Sequence, residues 1–328
     1  MGLDIVYIAD DNFAKILGIS ILSILESNKD LSICIHIIDM GIDNNNKYKI
    51  EDQIKEYHNV NVLFYKVDEI VHRLKEMKLN VPVENNSVAT LGRLYLHDIL
   101  PFSVKRVLYL DCDILINGSL QNIAEFEFDT SIAAVKDFNY KFARSHLDIV
   151  SSDKYFNAGV MLINLDKFGE KIRKNNLEDL LSKNYVFADQ DILNIVFKDD
   201  CCYLSPIYNS STRIRMLEID NLLYIIDESE KLYNLNEIKK AKENPILIHF
   251  TSSLLGRPWE ENCIDPDKIK WKNMYKKSLW SEMKLDRRIL SFSNKVGRII
   301  YKFFPQKIYC VIDKTFAEKN IKRKMKND

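Results

Sequence analysis

The amino-acid sequence predicts an α/β protein with an open, mainly parallel sheet and helices on both faces of the sheet. Runs typical of β-strands alternate with helical periodicity through roughly the first 65 residues, which is the pattern of such folds. The chain has 328 residues, of which 46% are hydrophobic, enough for one large domain with an appendage or for two smaller domains. Acidic residues follow two of the predicted strands, at the sheet edge where ligands bind in this class of fold.

The predicted elements follow from the spacing of apolar residues. Strands are expected at Ile5–Ala9, Ile33–Ile38, Val60–Tyr65, Arg106–Leu110, Ile132–Val135, Phe156–Ile163 and Ile246–Phe250. Helices are expected at about Phe13–Ser27, Asn44–Tyr57 and Ser87–Leu100, around Leu177–Leu181, and from Asp189 onward. Residues between Cys202 and about Glu243 are expected to be less regular. Beyond Trp271 the pattern is helical and basic, with Pro305 dividing it.

Composition excludes several classes of protein. The nine glycines form neither GxGxxG nor GxxxxGK[ST], so nucleotide phosphates would have to be bound by a metal ion and side chains. No stretch is apolar over the length that crosses a bilayer, and the first strand is followed at once by polar residues, so no signal peptide is expected. The six cysteines lack paired metal spacing, which favours a reduced, cytoplasmic protein.

The run Val107–Ile116 carries the strongest chemical signal in the chain. Asp111 and Asp113 stand one residue apart between two apolar segments, and residues i and i+2 of an extended chain project to the same side. The two carboxylates could hold one hard cation such as Mn²⁺ or Mg²⁺, with substrate phosphates completing its coordination. From these residues alone, a strand that simply ends in solvent with two acidic residues is an equal alternative.

Five segments together carry a family resemblance, which covers roughly residues 3–270. They closely resemble glycosyltransferase family 8, the retaining enzymes that include bacterial lipopolysaccharide galactosyl- and glucosyltransferases and glycogenin. The resemblance implies the GT-A fold, a mixed, mostly parallel sheet flanked by helices, and a UDP-sugar donor. The segments, in chain order, are Ile8–Asn12, Arg93, Asp111–Asp113, Phe156–Val160 and Asp189–Asp191.

The resemblance implies a metal and nucleotide site. Asp111, Asp113 and His249 match the ligands of Mn²⁺ (or Mg²⁺), with both phosphates of UDP completing the coordination shell. Asp10 and Asn12 match the residues that meet uracil and ribose, and the neighbouring Ala9 and Cys112 are counted with them. Two structural alternatives stay open: Asp10 and Asn12 are also suited to capping a helix, and a histidine after a strand is often structural.

The resemblance also implies a pocket for the donor sugar. Gln190 matches the residue beneath the anomeric carbon, and Asp189 is its neighbour in the catalytic pair. An amide is a poor nucleophile, which favours departure and attack on the same face, although a double displacement through Asp189 or another carboxylate stays open. Asp189 could instead cap the following helix, and Asp137 could simply begin a loop. The expected pocket residues are Arg93, Asp137, Asn157, Asp189 and Gln190.

One segment departs from the family's pattern. Bacterial members usually have a histidine, an aromatic residue, a small residue and glycine, closely followed by Lys-Pro-Trp. Here the segment from His249 to Trp259 is about two residues longer, and Arg257 stands in place of the lysine. An arginine can still bind a diphosphate, even through two hydrogen bonds. The longer loop borders the acceptor side, so the acceptor is the substrate that the resemblance defines least.

The C-terminal segment differs in charge from the rest of the chain. Lys284–Asp328 contains 13 Lys/Arg and 4 Asp/Glu, a net charge of +9, and the whole chain is neutral. We therefore expect a catalytic domain at residues 1–275 and a basic amphipathic helical tail at residues 276–328. Such helices bind anionic membrane surfaces, which would place the enzyme peripherally on the inner face of a bacterial cytoplasmic membrane. The alternative is a pair of helices packed on the catalytic domain.

The leading interpretation is transfer of galactose or glucose from a UDP-sugar to a cell-surface or lipid-linked glycan, as in lipopolysaccharide synthesis. A catalytically silent sugar-nucleotide-binding protein is the alternative, although both metal carboxylates are present. An aspartate-nucleophile phosphatase also uses Asp-x-Asp after a strand, but Leu115 occupies the position where that motif has Thr or Val. No pattern of basic and aromatic residues supports nucleic-acid binding.

Overall fold

A computed structural model describes residues 2–67, 91–140, 142, 147, 155–183, 185–226, 233–251 and 254–326. Its main feature is a seven-stranded sheet with strand order β3-β2-β1-β4-β7-β6-β8. Only β7 among these strands runs against its neighbours β4 and β6, so the sheet is mixed and mostly parallel. The strands are β1 (Gly2–Ala9), β2 (Ser32–Asp39), β3 (Val60–Lys66), β4 (Arg106–Leu110), β6 (Ile132–Lys136), β7 (Phe156–Asn164) and β8 (Cys201–Tyr203).

Helices cover both faces of this sheet, as predicted. Successive β1 residues alternate between two hydrophobic clusters: Ile5 and Tyr7 belong to one, and Val6 and Ile8 to the other. The first cluster includes apolar residues of α1 (Ala14–Ser27), α2 (Asn44–Ile54), α8 (Thr212–Met216), α9 (Ile219–Ile226), α10 (Leu235–Glu243) and α11 (Lys268–Lys277). The second includes those of α3 (Leu96–Ile99), α5 (Leu165–Lys174), α6 (Leu177–Leu181) and α7 (Ala188–Phe197), and the short α4 spans Gln121–Ala124.

A second, three-stranded sheet lies at the end of β4. It contains β5 (Ile114–Ile116), β9 (Ser210–Ser211) and β10 (Leu247–His249), with β10 in the centre. His249 pairs with Ile114, and the backbone N–H of Phe250 donates to the carbonyl of Asp113 at 3.1 Å. Residues that are more than a hundred positions apart in the sequence therefore meet beside the Asp111–Asp113 segment.

Three details of the prediction are corrected by the structure. The helix expected at Ser87–Leu100 is a 3₁₀ turn at Gly92–Tyr95 followed by α3, while residues 87–90 lie outside the described residues. The stretch from Cys202 to Glu243 is not irregular, because it contains α8, α9 and α10. The helix expected from Asp189 begins one residue earlier, at Ala188. These helices are short, from four to ten residues, which gives a weak sequence signal.

The chain ends in two helices, α12 (Phe292–Phe303) and α13 (Gln306–Lys326), separated at Pro305 as predicted. The division between residues 1–275 and 276–328 stays a prediction, and α11 spans it. Trp280 is fully buried against α1, and a Cβ added to Gly18 would lie 2.2 Å from the Trp280 ring. The indole N–H donates to Asn46 Oδ1 at 2.9 Å, so the start of the C-terminal segment packs between α1 and α2.

Candidate active site

Four chain segments meet at one edge of the main sheet. Asp111 follows β4, and Asp137 follows β6. Because β7 is antiparallel to both strands, its first residues lie at their carboxyl ends, and Asn157 is therefore brought to the same edge. Asp10 follows β1, the neighbour of β4. The prediction that polar strand ends share one edge of the sheet is confirmed by this topology.

Asp111, Asp113 and His249 form a compact cluster. One ligand atom from each residue lies within 4.8 Å of the others. The His249 Nε2 atom is 3.1 Å from Asp113 Oδ1 and 3.8 Å from Asp111 Oδ2. Two carboxylates and an imidazole are donors that suit a divalent ion such as Mn²⁺, so the residue types and their spacing fit the predicted metal.

The orientation of His249 leaves one ring nitrogen available to the cluster. His249 Nδ1 is 2.9 Å from Asn209 Oδ1, an acceptor, so Nδ1 carries a proton and Nε2 faces the two carboxylates. The cluster also depends on Gly159 of β7. A Cβ at this position would lie 2.4 Å from His249 Cε1 and 2.8 Å from Asp111 Oδ2, so any larger residue would fill the space between the ligands.

Two arginines flank the carboxylates. Arg93 Nη2 donates to Asp111 Oδ1 at 3.1 Å, and Arg257 Nη1 donates to Asp113 Oδ2 at 2.7 Å. Burial opposes ionisation of Asp113, but His249 and Arg257 more than offset it and hold the pKa of this carboxyl well below its usual range. Asp113 is therefore ionised at neutral pH. We call Asp111, Asp113, His249 and Arg257 the charged side of the site.

A second group of residues is held by hydrogen bonds between neutral groups and one carboxylate. Gln190 Oε1 accepts from the Ala158 N–H at 3.1 Å, and Gln190 Nε2 donates to Asp137 Oδ2 at 2.9 Å and to the Tyr155 hydroxyl at 3.1 Å. These partners determine the orientation of the amide: Oε1 faces the Ala158 N–H, and Nε2 faces Asp137 and Tyr155. Asn157 Oδ1 accepts from the Gly159 N–H at 3.1 Å. We call Asp137, Tyr155, Asn157 and Gln190 the amide side.

Asp189 is buried and paired with Arg93. The Arg93 Nε atom lies 2.9 Å from Asp189 Oδ2, and burial raises the pKa of Asp189 to about 6 although Arg93 lowers it. Asp189 does not cap α7, because the N-cap position belongs to Phe187 and makes no side-chain bond. The preceding Ala188 has φ of 44°, a left-handed conformation that non-glycine residues rarely adopt. Such strain often accompanies functional positions, and here it sets the start of the helix that carries Asp189 and Gln190.

The residues predicted to bind the nucleoside lie at the end of β1. The Asp10 carboxylate accepts from the Phe13 N–H at 3.2 Å and from Asn12 Nδ2 at 3.3 Å, so the expected capping role is present. Ala9 is buried and its carbonyl accepts from the Met40 N–H at 2.9 Å. The Cys112 thiol is buried and donates to the Ile8 carbonyl at 3.4 Å. Cys112 lies between Asp111 and Asp113 in the chain, and Asp10 follows β1, the strand next to β4. The nucleoside role of Asp10 and Cys112 stays a prediction.

Two adjoining cavities open at this edge. The larger, of about 780 Å³, is lined by the charged side together with Arg93, Asp189 and Gln190. The smaller, of about 350 Å³, is lined by Asp137, Asn157 and Gln190 and continues to Arg213 and Asp313. Both volumes lie in the range of small-molecule sites. Asn157 and Gln190 of the amide side line both cavities.

Sequence reasoning missed several polar residues of the site. Tyr109 donates to Asp111 Oδ1 at 2.8 Å, and the i, i+2 alternation of a strand could have identified it. Asn209 donates from Nδ2 to Asn157 Oδ1 at 2.8 Å and also contacts His249, so it connects the amide side to the charged side. Tyr155 donates to Asp191 Oδ1 at 2.5 Å. No local pattern identifies Asn209 or Tyr155.

The family model described as Glycosyl transferase family 8 matches residues 4–263. The chain belongs to this family. General stress protein A of Bacillus subtilis (strain 168) is 27% identical over 278 residues, which cover 80% of this chain and 90% of that protein. Lipopolysaccharide 1,2-glucosyltransferase of Escherichia coli (strain K12) is 25% identical over 287 residues, which cover 85% of this chain and 79% of that protein.

Two further comparisons concern galactosyltransferases. Lipopolysaccharide 1,3-galactosyltransferase of Salmonella typhimurium (strain LT2) is 29% identical over 78% of this chain and 79% of that protein. The crystal structure of galactosyltransferase LgtC in complex with donor and acceptor sugar analogs matches with a TM-score of 0.69 at 23% identity, over 84% of this chain and 96% of that chain. The fold is therefore of the GT-A type, and the resemblance inferred from the sequence is confirmed: the protein is a glycosyltransferase.

Proposed function

We propose that this glycosyltransferase moves a hexose, galactose or glucose, from a UDP-sugar to a saccharide acceptor of a cell-surface glycan, with retention of configuration. The observation that carries the proposal is the joint placement of the charged side and Gln190 around one cavity. The charged side suits a metal-bound diphosphate, and the amide side suits the hydroxyl groups of a sugar. The relatives named for lipopolysaccharide glucosyl and galactosyl transfer support this choice of substrates.

The charged side would bind the diphosphate. Asp111, Asp113 and His249 would hold Mn²⁺ (or Mg²⁺), which when bound offsets the negative charge on the departing diphosphate. Arg257 lies next to Asp113 and is about 29% exposed, so its guanidinium can reach a phosphate while it stays near the carboxylate. Asp10, Asn12, Ala9 and Cys112 would bind the nucleoside, with Asp10 accepting from uracil.

The amide side and Asp189 would bind the donor sugar. Arg93 engages both Asp189 and Asp111, so Asp189 is neutralised and is a poor candidate for a free nucleophile. We therefore propose same-face departure and attack, in which Gln190 stabilises the developing positive charge on the anomeric carbon. In this step the C1–O bond to the diphosphate breaks, the acceptor oxygen bonds to C1, and the acceptor proton passes to the departing phosphate oxygen.

Helix α12, the first of the two final helices, would attach the enzyme to an anionic membrane, on the inner face of a bacterial cytoplasmic membrane. Its apolar residues Phe292, Val296, Ile299 and Phe303 recur at intervals of four, three and four residues, and all are exposed. Lys295 and Lys302 on the same helix are also exposed. Such a helix rests in a headgroup region with its apolar face inward. No helix among the described residues is long and apolar enough to span a bilayer.

A membrane test follows from this surface. Replacing Phe292 and Phe303 by serine should release the protein from vesicles containing anionic lipid, with donor hydrolysis unchanged. Phe102→Ser is the matched control, because Phe102 is 84% exposed at a distance along the chain from α12. Binding of the native protein should weaken with salt, since surface charges are screened beyond about 8 Å at physiological ionic strength. Unchanged vesicle binding by the double variant would contradict this attachment.

The activity itself is tested with the purified full-length chain. UDP-glucose, UDP-galactose and UDP-N-acetylhexosamines are incubated with Mn²⁺ or with a chelator, and UDP release and the anomeric configuration of the product are measured. We expect metal-dependent hydrolysis of a UDP-hexose with retention, and competition by UDP but not by ADP. UDP binding without any hydrolysis or transfer would indicate a silent binding protein, and equal competition by ADP would show that Asp10 and Asn12 do not select the base.

A further inference from the structure

The last helix, α13, is part of the site. Its first turns are fixed to the body of the protein: Tyr309 and Cys310 are buried in the main hydrophobic cluster. Gln306 accepts from the Glu218 N–H at 2.6 Å and donates to the Met216 carbonyl at 2.9 Å. The helix is therefore held at α8 and α9, directly beside the smaller cavity, which Met216 and Tyr309 line.

One face of α13 is directed at the two cavities. Asp313, Ala317, Asn320 and Ile321 line the larger cavity, and Asp313 also lines the smaller one. Their spacing, i, i+4, i+7 and i+8, places them on a single helix face. Tyr309, four residues before Asp313, continues this face and lines the smaller cavity. The exposed apolar surface described above belongs to the other helix, α12.

Asp313 is held in place from two sides. The Tyr140 hydroxyl donates to Asp313 Oδ2, and Arg213 Nη2 lies 3.6 Å from the same oxygen. Arg213 in turn donates from Nη1 to Asn139 Oδ1 at 2.7 Å, and its guanidinium lies 4.6 Å from the centre of the Tyr140 ring. The Asp313 side chain is 31% exposed, and its contacts with Tyr140 and Arg213 both involve Oδ2. One carboxylate oxygen is therefore anchored and the other is available.

We infer that α13 forms the acceptor-side wall of the cleft and that Asp313 binds a hydroxyl group of the saccharide acceptor. This rests on the proposed function, because the smaller cavity lies between Gln190, placed at the anomeric carbon, and Asp313. A carboxylate oxygen accepts a hydrogen bond from a sugar hydroxyl, and Tyr309, Phe138 and Leu254 provide apolar surface for the face of a ring. The acceptor class is a neutral saccharide, and Asp313 is a binding residue that contributes to acceptor selection.

The test uses the full-length enzyme, a UDP-hexose, Mn²⁺ and a panel of p-nitrophenyl glycosides of glucose, galactose and N-acetylglucosamine as acceptor probes. Asp313→Asn should raise the KM of the best glycoside about tenfold or more, because a hydrogen bond to a charged group is lost. The KM for the UDP-hexose should change much less than the KM for the glycoside, because Asp313 lies across the smaller cavity from Gln190. Glu318→Gln is the matched control, since Glu318 lies on the same helix, pairs with Lys322 and lines neither cavity.

A second variant protects the test against a folding defect in Asp313→Asn. Met216 is half-buried and lines the smaller cavity but not the larger one, so Met216→Phe should narrow the acceptor side and leave the donor cavity unchanged. It too should raise the glycoside KM with donor hydrolysis preserved. Native KM values in both variants would overturn the inference, as would a native enzyme that hydrolyses donor but binds no glycoside of the panel. A native enzyme without donor hydrolysis would instead contradict the proposed function.

Discussion

The charged side and the amide side of the cleft are stabilised in different ways. On the charged side, the Asp113 carboxylate contacts both His249 and Arg257, and its pKa is held well below the usual range. On the amide side, Gln190 is saturated by Asp137, Tyr155 and the Ala158 N–H, so no net charge has to be neutralised at the amide. Charges at this density favour binding of further ions, whereas a saturated amide is preorganised and needs no rearrangement during a reaction.

Because they are stabilised differently, the charged side and the amide side should respond differently to substitution. Removing a charge from the charged side changes both ligand affinity and the balance among the charges that remain. Replacing Gln190 leaves these charged side chains in place and removes only the dipole of the amide. Three substitutions test this contrast, and the largest effect is expected on the charged side.

Asp113→Asn should reduce kcat/KM for the UDP-hexose by roughly 10³-fold or more, because a metal ion supplies several kcal/mol of charge stabilisation and each 1.4 kcal/mol is about tenfold. The variant keeps the shape of the side chain but leaves Arg257 without its carboxylate. Mn²⁺ binding, measured by electron paramagnetic resonance of the free ion, should weaken in parallel. Asp52→Asn is the control, since Asp52 is an exposed carboxylate on α2. If Asp113→Asn keeps native Mn²⁺-dependent turnover, Asp113 is not a ligand of the metal ion.

Gln190→Ala should lower kcat by roughly 10²-fold while Mn²⁺ and UDP binding stay near native values, because loss of one preorganised dipole costs a few kcal/mol in the transition state. Gln121→Ala, at an exposed amide on α4, is the control. Mass spectrometry of the variant with donor should detect no sugar attached to the protein. A glycosyl group bound to Asp189 or another carboxylate would refute same-face attack.

The charged side was predictable because its signal is local. Asp111 and Asp113 are two residues apart in a strand, and the family resemblance supplied His249 and Arg257 at a fixed order along the chain. Six of the seven strands of the main sheet were predictable for a related reason, since most of them contain continuous apolar runs, whereas the three-residue β8 was not predicted. The amide side was predictable only in part: Gln190 and Asp137 came from the resemblance, while Tyr155, which donates to Gln190's neighbour Asp191, carries no local signal.

The C-terminal segment shows where composition is a poor guide. The α12 and α13 sequences are both basic and apolar, yet Phe292 and Phe303 are exposed while Tyr309 and Cys310 are buried. What separates them is the position of α13 beside α8 and α9, and this depends on tertiary contacts such as those of Gln306. The same limit explains why α8–α10 were predicted to be irregular.

Asn209 is the residue that joins the two sides, and its substitution should have the smallest effect of the three. It accepts from His249 Nδ1 on the charged side and donates to Asn157 Oδ1 on the amide side. Asn209→Ala removes both bonds, and loss of the partner that orients a metal-binding histidine typically weakens metal affinity by roughly 10- to 100-fold. Turnover at saturating Mn²⁺ should therefore fall much less than in the other two variants.

Asn209→Asp separates the two bonds, because a carboxylate still accepts from His249 Nδ1 but cannot donate to Asn157. For Asn209→Asp we expect Mn²⁺ affinity near the native value and a lower kcat. Asn209→Ala should instead lose mainly Mn²⁺ affinity. Thermal unfolding of both variants, followed by circular dichroism, checks that the effects do not reflect unfolding, since Asn209 is buried. If the alanine and aspartate variants lose Mn²⁺ affinity equally, the bond to His249 does not orient the ligand, and the charged side is independent of the amide side.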